Sequence, residues 1–378
     1  MDRRALLLSI PGWPALAAAV ATAQAAAGLR FPADFGAHPE TRTEWWYITG
    51  SLQAGARLWG FQVTFFRAAT GLGTGRGTGL VTGPGSAQPQ APASRFDASQ
   101  LLFAHAALTD LEAGRLRHDQ RIARSGFGIA QAQVGDTAIS LRDWQLTRAP
   151  LPSPTDSRAS RYTASVASDT AGFAFELTFD TTQPVLLQGE AGLSKKGPNE
   201  ADTSRYYSEP QLAARGSLTL DGKRIAVQGR AWLDHEWSDS FIPSQAVGWD
   251  WIGMNLDDGS ALTAFRLRGA DAGSVYAGGS FRAPGKPVRN FGPDEVRFTA
   301  VRFWSSAATR ARYPVQWTVV TPAGSFRVNA LLDNQELDSR ASAGAVYWEG
   351  LSELLDETGR RVGRGYLEMT GYAAALRL

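Results

Sequence analysis

The chain contains the same aromatic hairpin pattern twice. The stretch EWWYITGSLQAGARLWGF, residues 44–61, aligns with GWDWIGMNLDDGSALTAF, residues 248–265, at a constant shift of 248 − 44 = 204 positions. A second pair, GRAWLD at 229–234 and GRGYLE at 363–368, matches in its glycine, arginine, aromatic, leucine and carboxylate positions. The first pair would open each half of the chain, and the second pair would close it. Two copies of one antiparallel unit is the simplest interpretation, and chance similarity between aromatic hairpins is the alternative.

Strand-forming patterns dominate the rest of the 378 residues. Apolar and polar residues alternate with period two, and no amphipathic helix longer than a few turns follows the N-terminus. Hairpin turns are expected at Ala54-Gly55, Asp221-Gly222 and Asp258-Gly259. A sheet that begins and ends with similar strands can close into a barrel, which leaves no exposed edge. The sequence therefore predicts an all-β protein with two consecutive antiparallel β-barrel domains, residues 28–240 and 241–378.

The N-terminal residues 1–27 have the features of a cleaved export signal. Arg3 and Arg4 precede an apolar run, which ends in Ala-x-Ala cleavage sites at residues 21–23 and 23–25. The arginine pair also fits a twin-arginine signal, and a short membrane anchor is the alternative. The sequence contains no cysteine, which excludes disulfides and thiol chemistry. We therefore predict a periplasmic or secreted protein.

The stretch AWLDHEWSDS, residues 231–240, combines acidic groups, an imidazole and two indoles. In a β-strand successive side chains point to opposite faces, so the stretch divides into two sets. Trp232, Asp234 and Glu236 share one face, and Leu233, His235 and Trp237 share the other. Both sets can face one cavity only if a bulge interrupts the strand. Catalysis and structural hydrogen bonding are both open for Asp234 and His235, whereas a structural ion pair is favoured for Glu236.

Aromatic residues beside polar ones form the candidate set for ligand binding. The candidates are Glu44, Trp45, Trp46, Tyr47, Tyr206, Tyr207, Trp249, Asp250 and Trp251. Buried tryptophan and tyrosine need polar partners, which Glu44 and the Asp234 group could provide. Aromatic residues on both faces of a strand are also typical of a strand that packs one face in a core and leaves the other at its partly exposed edge, with no ligand. Tyr206 and Tyr207 follow a charged loop, where they could line an entrance or pack on the surface.

Several other classes of function are excluded or disfavoured. The net charge of +2 indicates no nucleic-acid partner. The sequence has no G-x-S-x-G elbow and no H-E-x-x-H motif, and the glycine-rich segment 70–94 does not match a phosphate-binding loop. His38, His105 and His118 are scattered without metal-ligand spacing. We therefore expect no metal and no cofactor.

Four motifs carry a resemblance to a known family. HPETRTEWWYITGSL, SRYYSEP, GRAWLDHEW and YWEG…GYLEMTGY occur in order between His38 and Tyr372. Together they resemble the AttH-like, secreted lipocalin-like proteins related to carotenoid 1,2-hydratases. The resemblance implies two lipocalin-like barrels with a cavity for a long apolar molecule. It also implies catalytic groups at Asp234, His235 and Trp237, with Asp250 as one candidate for a further acid.

Two functions follow from this resemblance. One is binding of an isoprenoid or acyl molecule by an exported protein, with water added to a terminal C=C bond as in the hydratases. That reaction needs a carboxylic acid kept protonated by an apolar pocket and aromatic faces that stabilise a carbocation. The alternative is a non-catalytic periplasmic lipid-binding partner of an ABC-type membrane transporter, with the charged loop 189–205 as its docking surface. Glu368, which aligns with Asp234 in the repeat, is expected to support stability rather than catalysis.

Overall fold

The computed structural model describes residues 28–71, 98–153 and 156–376. The predicted export signal and nearly all of the glycine-rich segment 70–94 lie outside these ranges. Within them, the one helix is a single 3-10 turn at Ala33–Phe35, and the remaining regular structure is β-strand. None of the described helices has the length and apolar character needed to span a membrane. The all-β prediction is confirmed.

The first sheet contains thirteen strands, all antiparallel to their neighbours. Its strands are β1 Thr43–Ala54, β2 Arg57–Ala69, β3 Gln100–Asp110, β4 Arg115–Arg124, β5 Ala130–Ala132, β6 Ala138–Leu141, β7 Trp144–Pro150, β8 Ser160–Ser168, β9 Phe173–Asp180, β10 Leu186–Leu187, β11 Leu193–Lys195, β12 Thr203–Leu220 and β13 Lys223–Ser238. The order across the sheet is β4-β3-β2-β1-β13-β12-β9-β8-β7-β6-β5, and β10 and β11 also pair with β12.

The second sheet contains ten strands. They are β14 Ala246–Leu256, β15 Ala261–Gly269, β16 Ser274–Arg282, β17 Arg289–Phe291, β18 Arg297–Ser305, β19 Arg312–Thr321, β20 Gly324–Ala330, β21 Glu336–Ser339, β22 Ala345–Leu355 and β23 Arg361–Met369. Their order is β17-β16-β15-β14-β23-β22-β20-β19-β18, and β21 also pairs with β22. The chain passes from the first sheet to the second between Ser238 and Ala246. One of the two sheets is a nearly closed barrel.

The two sheets repeat one topology around their first strands. In each, the first strand pairs with the second strand on one side and with the last strand on the other. The register is equivalent as well. Tyr47 lies opposite Asp234 between β1 and β13, and Trp251 lies opposite Glu368 between β14 and β23. This correspondence supports the duplication read from the sequence.

Alternation of side chains gives each sheet a buried inner face and leaves an outer face for contact between the sheets. The inner face of the first sheet packs large aromatics such as Trp46, Trp59 and Trp144 into its own core. The second sheet has a separate core around Trp317 and Trp348. A third apolar cluster joins the outer faces of the two sheets. Its buried members are Tyr47, Leu186, Trp232, Trp251, Ala261, Leu351 and Tyr366. The inner face of each sheet is therefore filled by its own core, and open space occurs between the sheets.

Candidate functional site

A cavity of about 400 Å³ lies between the outer faces of the two sheets. Its wall is mostly apolar and aromatic. The aromatic residues that line it are Trp45, Tyr47, Phe66, Phe103, Tyr206, Phe241, Trp249, Trp251, Phe265 and Tyr347. Ligand sites in proteins are typically concave, apolar and equipped with a few polar groups, which is the arrangement here.

The alternation of β13 decides which groups reach this cavity. Asp234 and Glu236 lie on the outer face and line the cavity, whereas His235 and Trp237 point into the core of the first sheet. No register shift interrupts the pairing of β1 with β13 through this stretch. The structure therefore brings only part of the LDHEW motif to the cavity.

Asp234 is buried at the cavity wall, and polar neighbours orient it. Its Oδ1 accepts a hydrogen bond from the Trp232 indole N–H, at 2.8 Å, and another from the Ser208 hydroxyl. Burial raises the pKa of Asp234 to about 7, because desolvation outweighs these hydrogen bonds from Ser208 and Trp232. At neutral pH the carboxyl is therefore partly protonated, which is the state a general acid needs.

Glu236 forms an ion pair with Lys196, as expected for a structural role. Lys196 also lies over the Trp45 ring, with Nζ 4.6 Å from the ring centroid. Lys196 belongs to the charged loop 189–205, so this part of the loop is a wall of the cavity. The position of Lys196 was not predicted, because nothing in the sequence connects this loop with β13.

Two further carboxyls enter the cavity from the second sheet. Glu349 on β22 lies directly opposite Glu368 on β23. Burial and the neighbouring Glu368 raise the pKa of Glu349 well above its ordinary value. Burial likewise raises the pKa of Glu368 to about 7, with the charges of Asp234 and Glu236 adding to the effect. Sequence reasoning assigned Glu368 to stability and did not single out Glu349. The alignment of GRAWLD with GRGYLE was the signal that equates Glu368 with Asp234.

His235 belongs to a different polar cluster inside the first sheet. Its Nε2 is 2.9 Å from Glu44 Oε1, and His38 Nδ1 is 2.7 Å from the same oxygen. The guanidinium of Arg67 donates to Glu44 Oε2 at 2.7 Å. Trp237 stacks on His38, with ring centroids 3.8 Å apart. These contacts place His235 and Trp237 on the side of β13 away from the cavity, although Glu44 and Arg67 of the same cluster also border it.

The pKa values in this cluster follow from burial and pairing. Burial alone would raise the pKa of Glu44, but hydrogen bonds from His235 and His38 lower it to about 2. Burial opposes the charge on His38, but hydrogen bonds to Asp34 and Glu44 raise its pKa to about 9. Burial lowers the pKa of His235 to about 4 despite its bond to Glu44. At neutral pH, Glu44 therefore sits between two cations, Arg67 and His38, with His235 neutral.

His38, Glu44 and His235 offer donor atoms within 4.8 Å of one another, a proximity that sequence spacing did not reveal. Their atoms hydrogen bond directly at 2.7 and 2.9 Å, however. Ligands about 2.0–2.1 Å from a tetrahedral metal would stand farther apart. The adjacent Arg67 guanidinium also disfavours a second cation. The arrangement fits a hydrogen-bonded ion cluster better than a metal site.

The remaining sequence-predicted residues divide between the cavity and the cores. Trp45, Tyr47, Tyr206, Trp249 and Trp251 line the cavity, as does Glu44, although its carboxyl is held by the cluster. Trp46 and Tyr207 are buried in the core of the first sheet, with Tyr207 Oη 3.1 Å from His235 Nδ1.

Asp250, the candidate further acid, does not line the cavity. It is fully buried on the other face of β14, where Arg266 and Tyr372 hydrogen bond to it at 2.7 and 2.8 Å. The ion pair with Arg266 occupies Oδ2, and the hydrogen bond from the Tyr372 hydroxyl occupies Oδ1.

The two antiparallel β-sheets, one of them a nearly closed barrel, place the protein in the lipocalin-like class of all-β proteins, with an aromatic cavity between the sheets. The AttH-like family model matches residues 22–372, and the chain belongs to that family. A crystal structure of a protein assigned as AttH from Nitrosomonas europaea is 43% identical, with a TM-score of 0.79. The match covers 92% of this chain and 98% of that protein.

Two curated relatives are named for the addition or removal of water. Kievitone hydratase from Fusarium solani subsp. phaseoli is 24% identical over 178 residues, which is 46% of this chain and 49% of the relative. Dehydratase asqC from Emericella nidulans is 24% identical over 189 residues, 46% of this chain and 50% of the relative. The chain thus spans about half the length of the curated relatives it matches. The similarity to these relatives supports a hydratase- and dehydratase-like AttH family.

Proposed function

We propose that this chain is an exported enzyme of the hydro-lyase type. It binds a long apolar molecule, isoprenoid or acyl, in the cavity between its two sheets, and it adds water to a C=C bond of that molecule or removes it. Asp234 is the proton donor in the direction of hydration. The supporting observation is the position of Asp234: a buried carboxyl, with a pKa of about 7, in the wall of an aromatic cavity.

The reaction makes three demands that the cavity can meet. An unactivated alkene needs a strong enough acid at its terminal carbon, and a carboxyl held in its neutral form by burial can supply the proton. The carbocation that results is attracted to aromatic faces, which Trp45 and Trp251 present. The mostly apolar wall would restrict access of bulk water once a substrate fills the cavity, so that a bound water reacts.

The rows of neighbouring residues across the first sheet also indicate how a substrate would lie in the cavity. Asp234, Tyr47 and Thr64 occupy one cross-strand row of the first sheet, and Glu236, Trp45 and Phe66 occupy the next row. The polar row adjoins the contact between the two sheets at Trp232 and Trp251. An apolar molecule would therefore lie along the aromatic row, with its reacting end beside Asp234.

Turnover in isotopically labelled water tests the proposal. The purified protein would be incubated with acyclic isoprenoid alcohols of increasing length and with acyclic carotenoids, and ¹⁸O incorporation followed by mass spectrometry. We expect Asp234→Asn to lower turnover by about a hundredfold or more while ligand binding is retained. Asp239→Asn, the same change at an exposed residue just beyond β13, is the matched control. Full turnover by a folded Asp234→Asn protein would remove Asp234 from the mechanism.

Retention of an apolar ligand without turnover of any substrate would instead indicate a carrier, such as the non-catalytic partner of a membrane transporter. Co-purification of the protein with membrane components would then be the next measurement. Export itself is tested by N-terminal sequencing of the protein from the periplasm, where the mature chain is expected to begin after the Ala-x-Ala sites at 21–25.

A further inference from the structure

Glu349 and Glu368 form an unusual pair on the second sheet. They are direct cross-strand partners between β22 and β23, and both line the cavity. Directly opposite residues on one face of a sheet have Cβ atoms about 4.5–5.5 Å apart, so the two carboxyls are within contact range. Two adjacent carboxylates in an apolar setting repel each other, and sharing one proton removes that repulsion.

Two buried polar atoms beside this pair make no regular hydrogen bond with any described residue. They are Glu349 Oε1 and the Tyr47 hydroxyl, which comes from the first sheet. Glu349 is only 2% exposed and Tyr47 only 7%. Buried polar atoms in proteins almost always have a hydrogen-bond partner. Since both residues line the cavity, a hydroxyl group inside it is the partner they fit.

We propose that Glu349 and Glu368 act as a proton-sharing carboxyl pair which, with the Tyr47 hydroxyl, binds the water that is added and accepts its proton. This inference rests on the proposed function and assigns the second half of the reaction. The pair comes from the second sheet and the proton donor Asp234 from the first, so the substrate lies between them.

The surroundings indicate how the shared proton is distributed. The Trp249 indole hydrogen bonds to Glu368, and the charge of Lys196 also favours its ionised form. The Tyr47 hydroxyl is the one neighbour that lowers the pKa of Glu349, and no regular hydrogen bond joins the two groups. Glu349 is therefore the protonated member, and Glu368 is the carboxylate that accepts a hydrogen bond from water.

The step is balanced in atoms and charge. The Asp234 carboxyl gives its proton to the terminal alkene carbon, whose π electrons form the new C–H bond. The water oxygen then forms a C–O bond to the adjacent cationic carbon, and the proton released from that water passes to Glu368. Exchange with solvent returns a proton to Asp234 and removes one from Glu368. Dehydration follows the same path in reverse.

Other ionisable groups face the pair and contribute to its titration. From the elements packed around the cavity these are Asp234, Glu236, Lys196, Tyr47, His105, Tyr347 and Tyr366. Burial lowers the pKa of His105 to about 3, so it is neutral. The three tyrosines are also neutral, because burial raises the pKa of each well above its ordinary value.

Infrared spectroscopy tests the proton directly. At about pH 9, the carboxyls whose pKa is near 7 are ionised, whereas a proton retained by the pair still gives a carboxylic-acid C=O band. We expect this band in the wild-type protein and its loss in Glu349→Gln. Glu353→Gln, the same change on the same strand outside the cavity wall, is expected to retain it. Absence of the band from a folded wild-type protein would show that Glu349 and Glu368 do not share a retained proton.

Turnover then tests the role of the pair. We expect Glu368→Gln to reduce turnover about a hundredfold, Glu349→Gln and Tyr47→Phe to reduce it about tenfold, and Glu353→Gln to leave it unchanged. Glu349→Gln should also move the acidic limb of the pH profile to lower pH, because Glu368, which must be ionised to accept the proton of water, then titrates without a carboxyl neighbour. Normal turnover in both glutamine variants would overturn the role of the pair. If the wild-type protein turns over no substrate but shows the infrared band, the proposed function is refuted and the proton-sharing carboxyl pair is not.

Discussion

Asp234 and His235 are adjacent in the chain, but their side chains lie on opposite sides of β13. The Asp234 carboxyl faces the aromatic cavity between the sheets, whereas His235 Nε2 lies 2.9 Å from Glu44 in the core of the first sheet. The strand separates the two groups. Substitutions at these neighbouring positions should therefore have different consequences.

His235→Ala should act mainly on stability. It removes a buried partner of Glu44 and leaves space beside Trp46, which stacks on the imidazole at 4.5 Å between centroids. We expect a loss of about 2–4 kcal/mol in the free energy of unfolding, measured by urea denaturation. The protein that remains folded should keep its turnover within a few-fold. A hundredfold lower turnover at normal stability would instead place His235 in the reaction.

Asp234→Asn should stabilise the protein at alkaline pH. The folded-state pKa of Asp234 is raised to about 7, so the folded state holds a proton that the unfolded state releases above its ordinary pKa. Wild-type stability thus falls as pH rises from about 4 to about 7 and then stays level. We expect Asn to add on the order of 4 kcal/mol at pH 8 and nothing below pH 4. Thermal melts across this range measure the difference, and Asp239→Asn should show none.

His38 should make the folded protein less stable at alkaline pH. Its pKa is raised to about 9 in the folded state, so its charge adds stability that is fully present below about pH 6.5 and is lost as pH rises through 9. His38→Gln should remove this dependence and bring the melting temperature at pH 6 closer to that at pH 10. An unchanged loss of stability at alkaline pH in the variant would show that His38 is not ionised in the native protein.

Arg67 and Glu44 should be strongly coupled. Both are buried and their charges are paired at 2.7 Å, so Arg67→Met leaves the carboxylate without its guanidinium partner. We expect a loss of about 3–5 kcal/mol from this single change. Adding Glu44→Gln should recover part of that loss, and a double-mutant cycle measures the coupling. Simple additivity of the two changes would show that the pair contributes little.

Filling the cavity should abolish ligand binding without unfolding the protein. Ala68 lines the cavity and is partly exposed, so Ala68→Trp places a large ring in the open space. We expect the affinity for apolar fluorescent probes to fall at least about tenfold, with little change in melting temperature. Ala226→Trp, at an exposed position on β13, should bind the probe normally. Equal binding by the two variants would place the ligand elsewhere.

The sequence was sufficient for the fold because period-two alternation and a repeated pair of motifs are local signals. The aligned segments 44–61 and 248–265 contain most of the equivalent strands β1 and β14. The same alternation correctly divided LDHEW into two faces, since a strand without a bulge cannot present neighbours to one side. The alternation did not show which face of β13 points into the core of the first sheet.

The location of the cavity depends on how the two sheets meet, and no local pattern encodes that contact. The resemblance implied a cavity in the barrels, yet Trp46 and Trp59 fill the first barrel and the open space lies outside it. Glu349 reaches the cavity beside Asp234 only through this contact, whereas Lys196 reaches it because β11 pairs with β12 in the first sheet. His38 and His235 are likewise far apart in the chain, and the pairing of β1 with β13 brings them together.

The equivalence of Asp234 with Glu368 has an evolutionary consequence. Ser208 lies opposite Asp234 in the first sheet, and Glu349 occupies the corresponding place opposite Glu368 in the second. A homodimer of the ancestral unit would have placed identical residues on both sides of its symmetry axis. If the two sheets descend from one duplicated unit, fusion into a single chain would remove that constraint, so that one copy could keep a hydroxyl beside its acid while the other gained a second acid. An asymmetric reaction centre at the interface of two related halves is what a single fused chain can evolve and a symmetric dimer cannot.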